Sequence, residues 1–286
     1  MVAKKIKELT EVMVDREYDN DFDAQHSELK AAYLALENNC YEQAWNHFYK
    51  TYSLKPSDPG YSSSIKGEAA HGLCKVMQEI PNNDEFLKKL METDSTLVRK
   101  AARKVVTPDD ARRTLGRKYL VYAADDCGYY PAMVEYALNC VGKGPNKSFV
   151  FPYDEDNARI GLHWANRLLN SDTPQYKSIG YVVHAIYHLA SYRTNKQHAD
   201  KVGFCDNALN AWNTVGEKNE YATYFYAHLC CDPKFKFYED GKYYDERKGY
   251  DLFCKVAQTG TDPDLVASAL KIKSTYETKY PHKIKK

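Results

Sequence analysis

The sequence predicts an all-α protein, an α–α superhelix in which antiparallel helix pairs stack along the chain. Apolar residues recur every three or four positions over long stretches, as a helix with one buried face requires. Clusters of Asn, Gly and Pro interrupt these stretches at helix-length intervals. In the second half, a unit with a central aromatic residue recurs after roughly 40 to 50 residues, a period typical of stacked helix pairs.

Residues 26–80 are predicted to form the first helical section, after a flexible lead-in of residues 1–25. From His26 onward, one helix face carries Leu29, Ala32, Tyr33 and Leu36. Asn38 and Asn39 end this helix, and residues 41–54 form its antiparallel partner. A third helix is predicted over residues 64–79. Its inward-facing positions are Ile65, Ala69, Gly72, Leu73 and Val76.

Residues 81–110 are predicted to be a charged helical connector, with one helix over residues 85–106. A strong helix start follows at Thr107, Pro108, Asp109 and Asp110. Here Thr107 caps the first amide groups, proline suits the first turn, and the acids lie near the positive end of the helix dipole.

Residues 111–286 are predicted to form the longer-period section. The aromatic residues of its three recurring units are Trp164, Trp212 and Phe253. A capping helix is predicted from Leu265 to Tyr280, and its Lys-rich end is expected to be exposed.

The composition indicates a soluble globular protein, since 43% of the 286 residues are hydrophobic and 28% are charged. The 40 basic and 39 acidic residues leave a net charge of +1, so no global field favours nucleic acid or a membrane. Eight scattered cysteines favour buried thiols in a reducing compartment over a disulfide framework. No signal peptide or bilayer-length apolar stretch is evident, so we predict a cytoplasmic protein without membrane contact.

The second predicted helix has a pattern of small and large residues that suits a helix pair. Ala44 allows close approach to the partner helix, and Phe48 fills the space between them. Leu54 then covers the helix end, and Pro56 stops the helix because it cannot continue the hydrogen-bond ladder. This A-x3-F pattern with a closing Pro resembles the tetratricopeptide repeat.

The second half is similar to the Sel-one-like repeats, which are longer-loop relatives of the tetratricopeptide repeat. A helix-forming segment over residues 132–144, an acidic segment over residues 154–156 and the segment 158–164 follow the order of that repeat. The two resemblances cover residues 26–60 and 112–275. They imply an α-solenoid adaptor that cradles a peptide or another protein on a concave face.

The resemblance also implies a partner-binding face on the first helix. The residues at the corresponding positions, with Lys30 beside them, are His26, Leu29, Lys30, Tyr33, Leu36 and Glu37. A partner protein or peptide is expected there. Ordinary packing between helices is the alternative, above all for Leu29 and Leu36.

A basic cluster is the second candidate surface, a contact for phosphate groups or for an acidic partner. Its residues are Arg99, Arg103, Arg112, Arg113, Arg117 and Lys118. Arg99 with Arg103, and Arg113 with Arg117, are four positions apart and would share a helix face. Such a stripe suits a nucleic-acid backbone. Acidic residues interspersed in it favour instead a solvated face or a site for an acidic peptide.

No sequence pattern identifies catalysis, a cofactor or a metal site, since the common nucleophile, zinc and dinucleotide motifs are missing. His184 and His188 have metal-ligand spacing on a helix, but no neighbouring ligand supports that role, and packing is the favoured interpretation. We therefore predict a non-enzymatic protein-interaction scaffold. The alternatives are a nucleic-acid-binding helical-repeat protein that uses residues 99–118 and a self-assembling structural protein.

Overall fold

The computed structural model describes residues 20–143 and 155–279, and these residues form thirteen α-helices and no strand. The helices are α1 (Asn20–Glu37), α2 (Tyr41–Tyr52), α3 (Ser63–Glu79), α4 (Glu85–Thr93), α5 (Ser95–Ala101), α6 (Pro108–Asp125), α7 (Tyr130–Cys140), α8 (Glu155–Leu169), α9 (Pro174–Asn195), α10 (His198–Val215), α11 (Glu220–Cys231), α12 (Glu246–Thr259) and α13 (Pro263–Lys279). The all-α prediction is confirmed for these residues. Helices that follow one another in sequence also pack against one another in most cases.

The chain divides into two compact units, Met1–Ala132 and Met133–Lys286, and the boundary falls within α7. The residues predicted as a connector, 81–110, belong to the first unit. No helix in the described ranges is long and apolar enough to cross a membrane.

In the first unit, α1 and α2 form the predicted antiparallel pair. Nδ1 of His47 lies 2.8 Å from a carboxylate oxygen of Glu28, and the rings of Tyr33 and Phe48 meet edge to face at 5.0 Å. The left-handed backbone of Asn39, with φ of 59°, ends the pair's first helix where the sequence predicted a break. Helix α1 begins at Asn20, however, so residues 20–25 are helical and do not belong to a lead-in. Residues 1–19 lie outside the described residues.

The close approach of α2 and α3 depends on Gly72. The Phe48 ring, fully buried, lies where a β-carbon on Gly72 would stand. Four other inward positions predicted for α3 are also buried: Ile65, Ala69, Leu73 and Val76. Helix α3 in turn packs along α6.

The prediction of a single helix over residues 85–106 is wrong. Two short helices occupy this segment because the carboxylate of Asp94 accepts hydrogen bonds from the backbone amides of Thr96 and Leu97 and starts a new helix. Helix α5 ends at Ala101, so Arg103 lies in a loop and cannot share a helix face with Arg99.

The predicted start of α6 is confirmed. The side chain of Thr107 accepts a hydrogen bond from the amide of Asp110, and the Asp110 carboxylate accepts one from the amide of Thr107. This reciprocal arrangement is a capping box.

In the second unit, small residues mark the crossings of successive helices. A β-carbon added to Gly161 would stand 3.0 Å from Cβ of Cys140, and one added to Gly249 would stand 2.6 Å from Cβ of Cys231. These contacts join α7 to α8 and α11 to α12. Gly203 meets the ring of His188 in the same way, between α10 and α9.

The three recurring aromatic residues do not occupy equivalent positions. Trp164 and Phe253 are buried against the preceding helix, with ring centroids 5.2 Å from Tyr136 and 5.4 Å from Tyr224. The ring of Trp212 instead stacks on Tyr226 of the following helix at 4.5 Å. The recurring pattern therefore identifies helices that pack as pairs, but its central aromatic residue does not pack in the same way in all three units.

The last helix, α13, agrees with the capping helix predicted from Leu265 and packs on α12. Asp262 starts it, because its carboxylate accepts hydrogen bonds from the amides of Asp264 and Leu265 and from the hydroxyl of Tyr221. The Lys-rich end beyond residue 279 lies outside the described residues.

Candidate partner-binding surfaces

The residues predicted to bind a partner on α1 lie mainly on its packing face. Leu29 and Leu36 are only 3% and 4% exposed. The Tyr33 ring packs on Phe48, and its hydroxyl hydrogen-bonds the carboxylate of Glu68 on α3. Packing, the alternative given for Leu29 and Leu36, is therefore their observed role and extends to Tyr33.

A polar group accompanies this packing. Burial raises the pKa of Glu68, while the electrostatic interaction with His26 and the hydrogen bond from Tyr33 act in the opposite direction. Burial also raises the pKa of Tyr33 well above its usual value. Of the six predicted residues, Lys30 and Glu37 remain exposed. Leu34, an exposed apolar residue, lies on the same solvent-facing side of α1 as Lys30 and Glu37.

Arg112, the central residue of the predicted basic cluster, has a structural role. Its guanidinium donates hydrogen bonds to the carbonyl oxygens of Met77 and Gln78, at 3.0 and 2.7 Å, and to Oδ1 of Asn82 at 3.0 Å. The two carbonyls belong to the last turn of α3, where helical partners are missing. Arg112 therefore caps α3 and is not available to a phosphate group.

The remaining cations of this cluster fall into two groups, one on α6 and one on α5 and the loop that follows it. Arg113 pairs with Asp109 at 2.9 Å, and Lys118 lies 4.0 Å from Asp94 and over the ring of Tyr119. Arg117 is exposed and also has an interaction partner. At the other end, Arg99 and Arg103 are exposed beside Lys104 and two exposed valines, Val98 and Val105. The continuous stripe predicted from the sequence is not formed.

A cleft in the second unit brings together residues that the sequence analysis did not connect. It lies at the C-terminal ends of α9 and α11 and has a volume of about 190 Å³. Its lining residues are Leu189, Tyr192, Arg193, Lys196, His228, Asp232, Lys234 and Phe235. Small-molecule sites usually have volumes of roughly 300–1,000 Å³, so this cleft suits a single side chain or chain terminus.

Local sequence explains how two helices end at this cleft. Lys196 terminates α9 in a left-handed conformation, with φ of 56°, and its amide donates to the carbonyl of Tyr192. Asp232 terminates α11, and its carboxylate accepts a hydrogen bond from the amide of Lys234 in the 3-10 turn Pro233–Phe235. The turn places Phe235, 2% exposed, in the floor of the cleft.

The rim of the cleft carries a net positive charge. Arg193, Lys196 and Lys234 are exposed, and Asp232 is the single acidic residue of the lining. The three cations and the carboxylate give a formal charge of +2. The negative ends of the two helix dipoles contribute about −0.5 each, which leaves a net charge of about +1 at the rim. An anionic group from outside would therefore be attracted.

The inner wall of the cleft is aromatic and uncharged. His228 lies edge to face between Tyr224, at 4.9 Å, and Phe253, at 5.0 Å. Burial, aided by the charges of Arg193 and Lys234 and opposed by Asp232, lowers the pKa of His228 to about 4. Its imidazole is therefore neutral at pH 7, and neither ring nitrogen hydrogen-bonds a residue in the described ranges.

A loop with alternating lysine and aromatic residues continues from the cleft. Phe237 is 79% exposed, with the ammonium of Lys236 5.9 Å from its ring centroid. Further along, Glu239 and Asp240 have left-handed backbones, with φ of 42° and 55°. The run Lys234-Phe235-Lys236-Phe237 was the signal in the sequence that could have indicated this surface.

The two histidines considered as metal ligands have protein partners. His184 Nε2 lies 2.9 Å from Oδ1 of Asn166, and His188 Nδ1 lies 3.2 Å from a carboxylate oxygen of Asp200. Burial lowers the pKa of His184. Packing and hydrogen bonding account for both side chains.

Comparison with known proteins identifies no relative of this chain. A scan against protein-family models finds no match, and searches of curated proteins and of solved structures find none either. The tetratricopeptide and Sel-one-like resemblance therefore rests on the sequence patterns alone.

Proposed function

We propose that this protein is a non-enzymatic adaptor of the helical-repeat type, an α–α superhelix related to tetratricopeptide and Sel-one-like proteins. It binds an acidic segment of a partner protein at the cleft between the ends of α9 and α11. The observation that carries the proposal is the cation-rich rim formed by Arg193, Lys196 and Lys234 over an aromatic floor. The eight cysteines are scattered along the chain and four of them are buried, which favours a reducing compartment such as the cytoplasm.

The size and chemistry of the cleft favour a carboxylate carried on a peptide. Arg193 can hold a carboxylate through two parallel hydrogen bonds, which fixes orientation as well as charge. Leu189, Tyr192 and Phe235 offer apolar contact to the stem of an acidic side chain. The exposed ring of Phe237 next to the cleft offers further contact of the kind enriched at protein interfaces.

A binding assay with defined probes tests this proposal. Fluorescent octaglutamate and an oligothymidylate of eight nucleotides are titrated with the protein at fixed ionic strength. The triple variant Arg193→Glu, Lys196→Glu, Lys234→Glu should bind octaglutamate at least about tenfold more weakly, since attraction becomes repulsion at the rim.

The matched control is Lys177→Glu, Lys218→Glu, Lys271→Glu, which makes the same change in net charge at exposed positions outside the cleft. It should retain octaglutamate binding within about twofold, because none of its three positions lines the cleft. Equal loss in both triple variants would indicate attraction to overall charge and would contradict the assignment of the cleft. In capture from lysate, the relevant proteins are those retained by the control and lost by the cleft variant.

Nucleic-acid binding remains the second candidate function, supported by the exposed cations Arg99, Arg103 and Lys104. It predicts that oligothymidylate binds better than octaglutamate, with steep dependence on salt. Neutralising these three residues would abolish that binding, whereas the cleft variant would keep it.

A further inference from the structure

The first unit contains a group of tyrosines that surrounds one lysine. The ammonium of Lys66, near the start of α3, lies 5.6 Å from the ring centroid of Tyr52 and 5.8 Å from those of Tyr61 and Tyr122. The rings come from the end of α2, from the connection before α3 and from α6. We call Tyr52, Tyr61 and Tyr122 the tyrosine cage.

Two of the three walls of the cage pack against neighbouring rings. The rings of Tyr52 and Tyr122 meet edge to face at 5.1 Å, and Tyr52 meets Tyr119 in the same geometry at 5.3 Å. Tyr119 is 2% exposed and packs against Trp45 at 5.4 Å. Two walls of the cage, Tyr52 and Tyr122, are therefore positioned by contacts that do not involve Lys66.

The cage is nevertheless open to solvent. Its three tyrosines and Lys66 are each partly exposed. Burial is the main cause of the raised pKa values of Tyr52 and Tyr122, and the negative charge of Asp126 adds to both. Asp126 is exposed, and no ion pair or hydrogen bond joins its carboxylate to another residue in the described part of the chain. A cation in the cage thus has aromatic faces around it and a negative charge nearby.

Lys66 is a replaceable occupant of this site. Its ammonium donates one hydrogen bond, to the carbonyl oxygen of Leu54 at 2.8 Å. A flexible four-carbon stem allows the ammonium to move into solvent. A quaternary ammonium has no hydrogen bond to donate, and its methyl groups gain contact with the rings, so aromatic cages bind such ions well.

We propose that the tyrosine cage binds a quaternary or methylated ammonium group and that Lys66 occupies it in the unliganded protein. This site lies in the first unit and is independent of the proposed acidic-peptide cleft. Lys66 acts as an internal competitor, because an external cation binds only when the lysine has left.

Choline tests the site because its trimethylammonium group has a neutral isostere, 3,3-dimethylbutan-1-ol. In proton NMR titrations of the intact chain, the methyl signal of choline should move upfield as the rings enclose it. Lys66→Ala should tighten choline binding about tenfold by removing the competitor. The isostere should bind at least about tenfold more weakly than choline, since it lacks the charge that the ring faces attract.

Two matched controls separate the cage from general effects of substitution. Lys55→Ala removes an exposed lysine outside the cage and should leave choline binding unchanged. Tyr61→Leu removes a wall in a connecting segment and should weaken binding. Tyr41→Leu removes a partly exposed tyrosine of α2 that lies outside the cage and hydrogen-bonds Asn39, and it should not weaken binding. Comparing wild type with Tyr61→Leu keeps the test valid even if Lys66→Ala fails to fold.

A trimethyllysine peptide and its unmodified counterpart distinguish a protein-borne ligand from a free small molecule. Tighter binding of the methylated peptide than of choline would assign the site to a modified protein, and the reverse would assign it to a small ammonium compound. The proposal is overturned if choline and its isostere bind equally, or if folded Lys66→Ala binds no choline at millimolar concentration.

Discussion

At the residue scale, Arg112 shows how one side chain can combine charge with local structure. Its guanidinium reaches from the second turn of α6 to the last turn of α3 and satisfies two carbonyl groups there. Burial lowers the pKa of Arg112, but its ordinary value is so high that the charge persists. A positive charge at this position also favours the negative end of the α3 dipole.

Replacing Arg112 should therefore affect stability. Arg112→Ala is expected to lower the free energy of unfolding by ~2 kcal/mol, because it leaves two carbonyls of α3 without a partner. Arg112→Lys should recover only part of this loss, since an ammonium cannot reproduce the planar donor set. Urea denaturation measures both changes.

Arg113→Ala is the control for this experiment, and it should cost less than ~0.5 kcal/mol because its pair with Asp109 is exposed. If the two alanine variants were equally stable, the capping role of Arg112 would be wrong. Charge loss is the same in both.

At the element scale, helix pairing depends on glycines that remove side-chain bulk where two helices cross. Gly72, Gly161 and Gly249 each lie against atoms of a neighbouring helix that would obstruct a β-carbon. A glycine inside a helix costs up to ~1 kcal/mol relative to alanine. The close packing gained at the crossing offsets that cost.

The crossing of α2 and α3 gives a quantitative prediction. Gly72→Ala should lower the free energy of unfolding by ~1–3 kcal/mol, because the added methyl group would overlap the Phe48 ring. Adding Phe48→Leu should make the double variant more stable than the sum of the single changes predicts. A double-mutant cycle by urea denaturation measures this coupling.

If the changes in unfolding free energy were purely additive in that cycle, overlap with the Phe48 ring would not be the reason that Gly72→Ala is destabilising. Gly216→Ala is a useful comparison, since no atom lies within 4 Å of the added carbon there and the left-handed φ of 58° is the source of strain. Its cost should not respond to Phe48→Leu.

Among the features of the helices, their starts and ends were predicted best from local sequence. Thr107 and Asp110 form the cap expected from their spacing, and Asn39 ends α1. Asp94 was missed as a cap because the apolar periodicity continues across it from α4 into α5. A short polar residue within a periodic segment can start a new helix when its backbone is extended, as at Asp94 with ψ of 122°.

At the scale of the whole molecule, the cysteine thiols differ in how deeply they are buried. Four thiols are buried, those of Cys74, Cys140, Cys205 and Cys230, and Cys40 is exposed. Burial raises the pKa of Cys205 to about 12 and that of Cys230 to about 11. Both thiols therefore stay protonated and unreactive at pH 8.

Thiol titration with a chromogenic disulfide at pH 8 should show one fast-reacting thiol per native chain and eight after denaturation. Thiolate formation and access both limit the reaction, so the exposed Cys40 reacts first. Cys40→Ser should remove the fast phase. A persistent fast phase in that variant, or fewer than eight thiols in denaturant under non-reducing conditions, would contradict the described burial or the absence of disulfides.

The candidate sites depend on contacts between residues far apart in the sequence, whereas the helices depend on near neighbours. Leu29, Tyr33 and Leu36 have the spacing of one helix face, but spacing does not reveal whether that face meets a partner protein or the chain itself. Here α2 and α3 cover it. Similarly, the basic cluster has a regular spacing in sequence, yet Arg112 finds carbonyl groups roughly 35 residues away, as only a folded chain permits.

The amino-acid sequence by itself determined the all-helical class, most helix positions and several helix caps, because these depend on periodicity and hydrogen bonds between near neighbours. Only the tertiary structure decided which helix faces are buried, which cations are already paired, and which side chains meet at the cleft and the tyrosine cage. Lys66 and Tyr122, or Arg193 and Lys234, are far apart in the chain and meet only because helices pack. Such meetings arise from the sum of many burial terms, which no single segment of sequence contains.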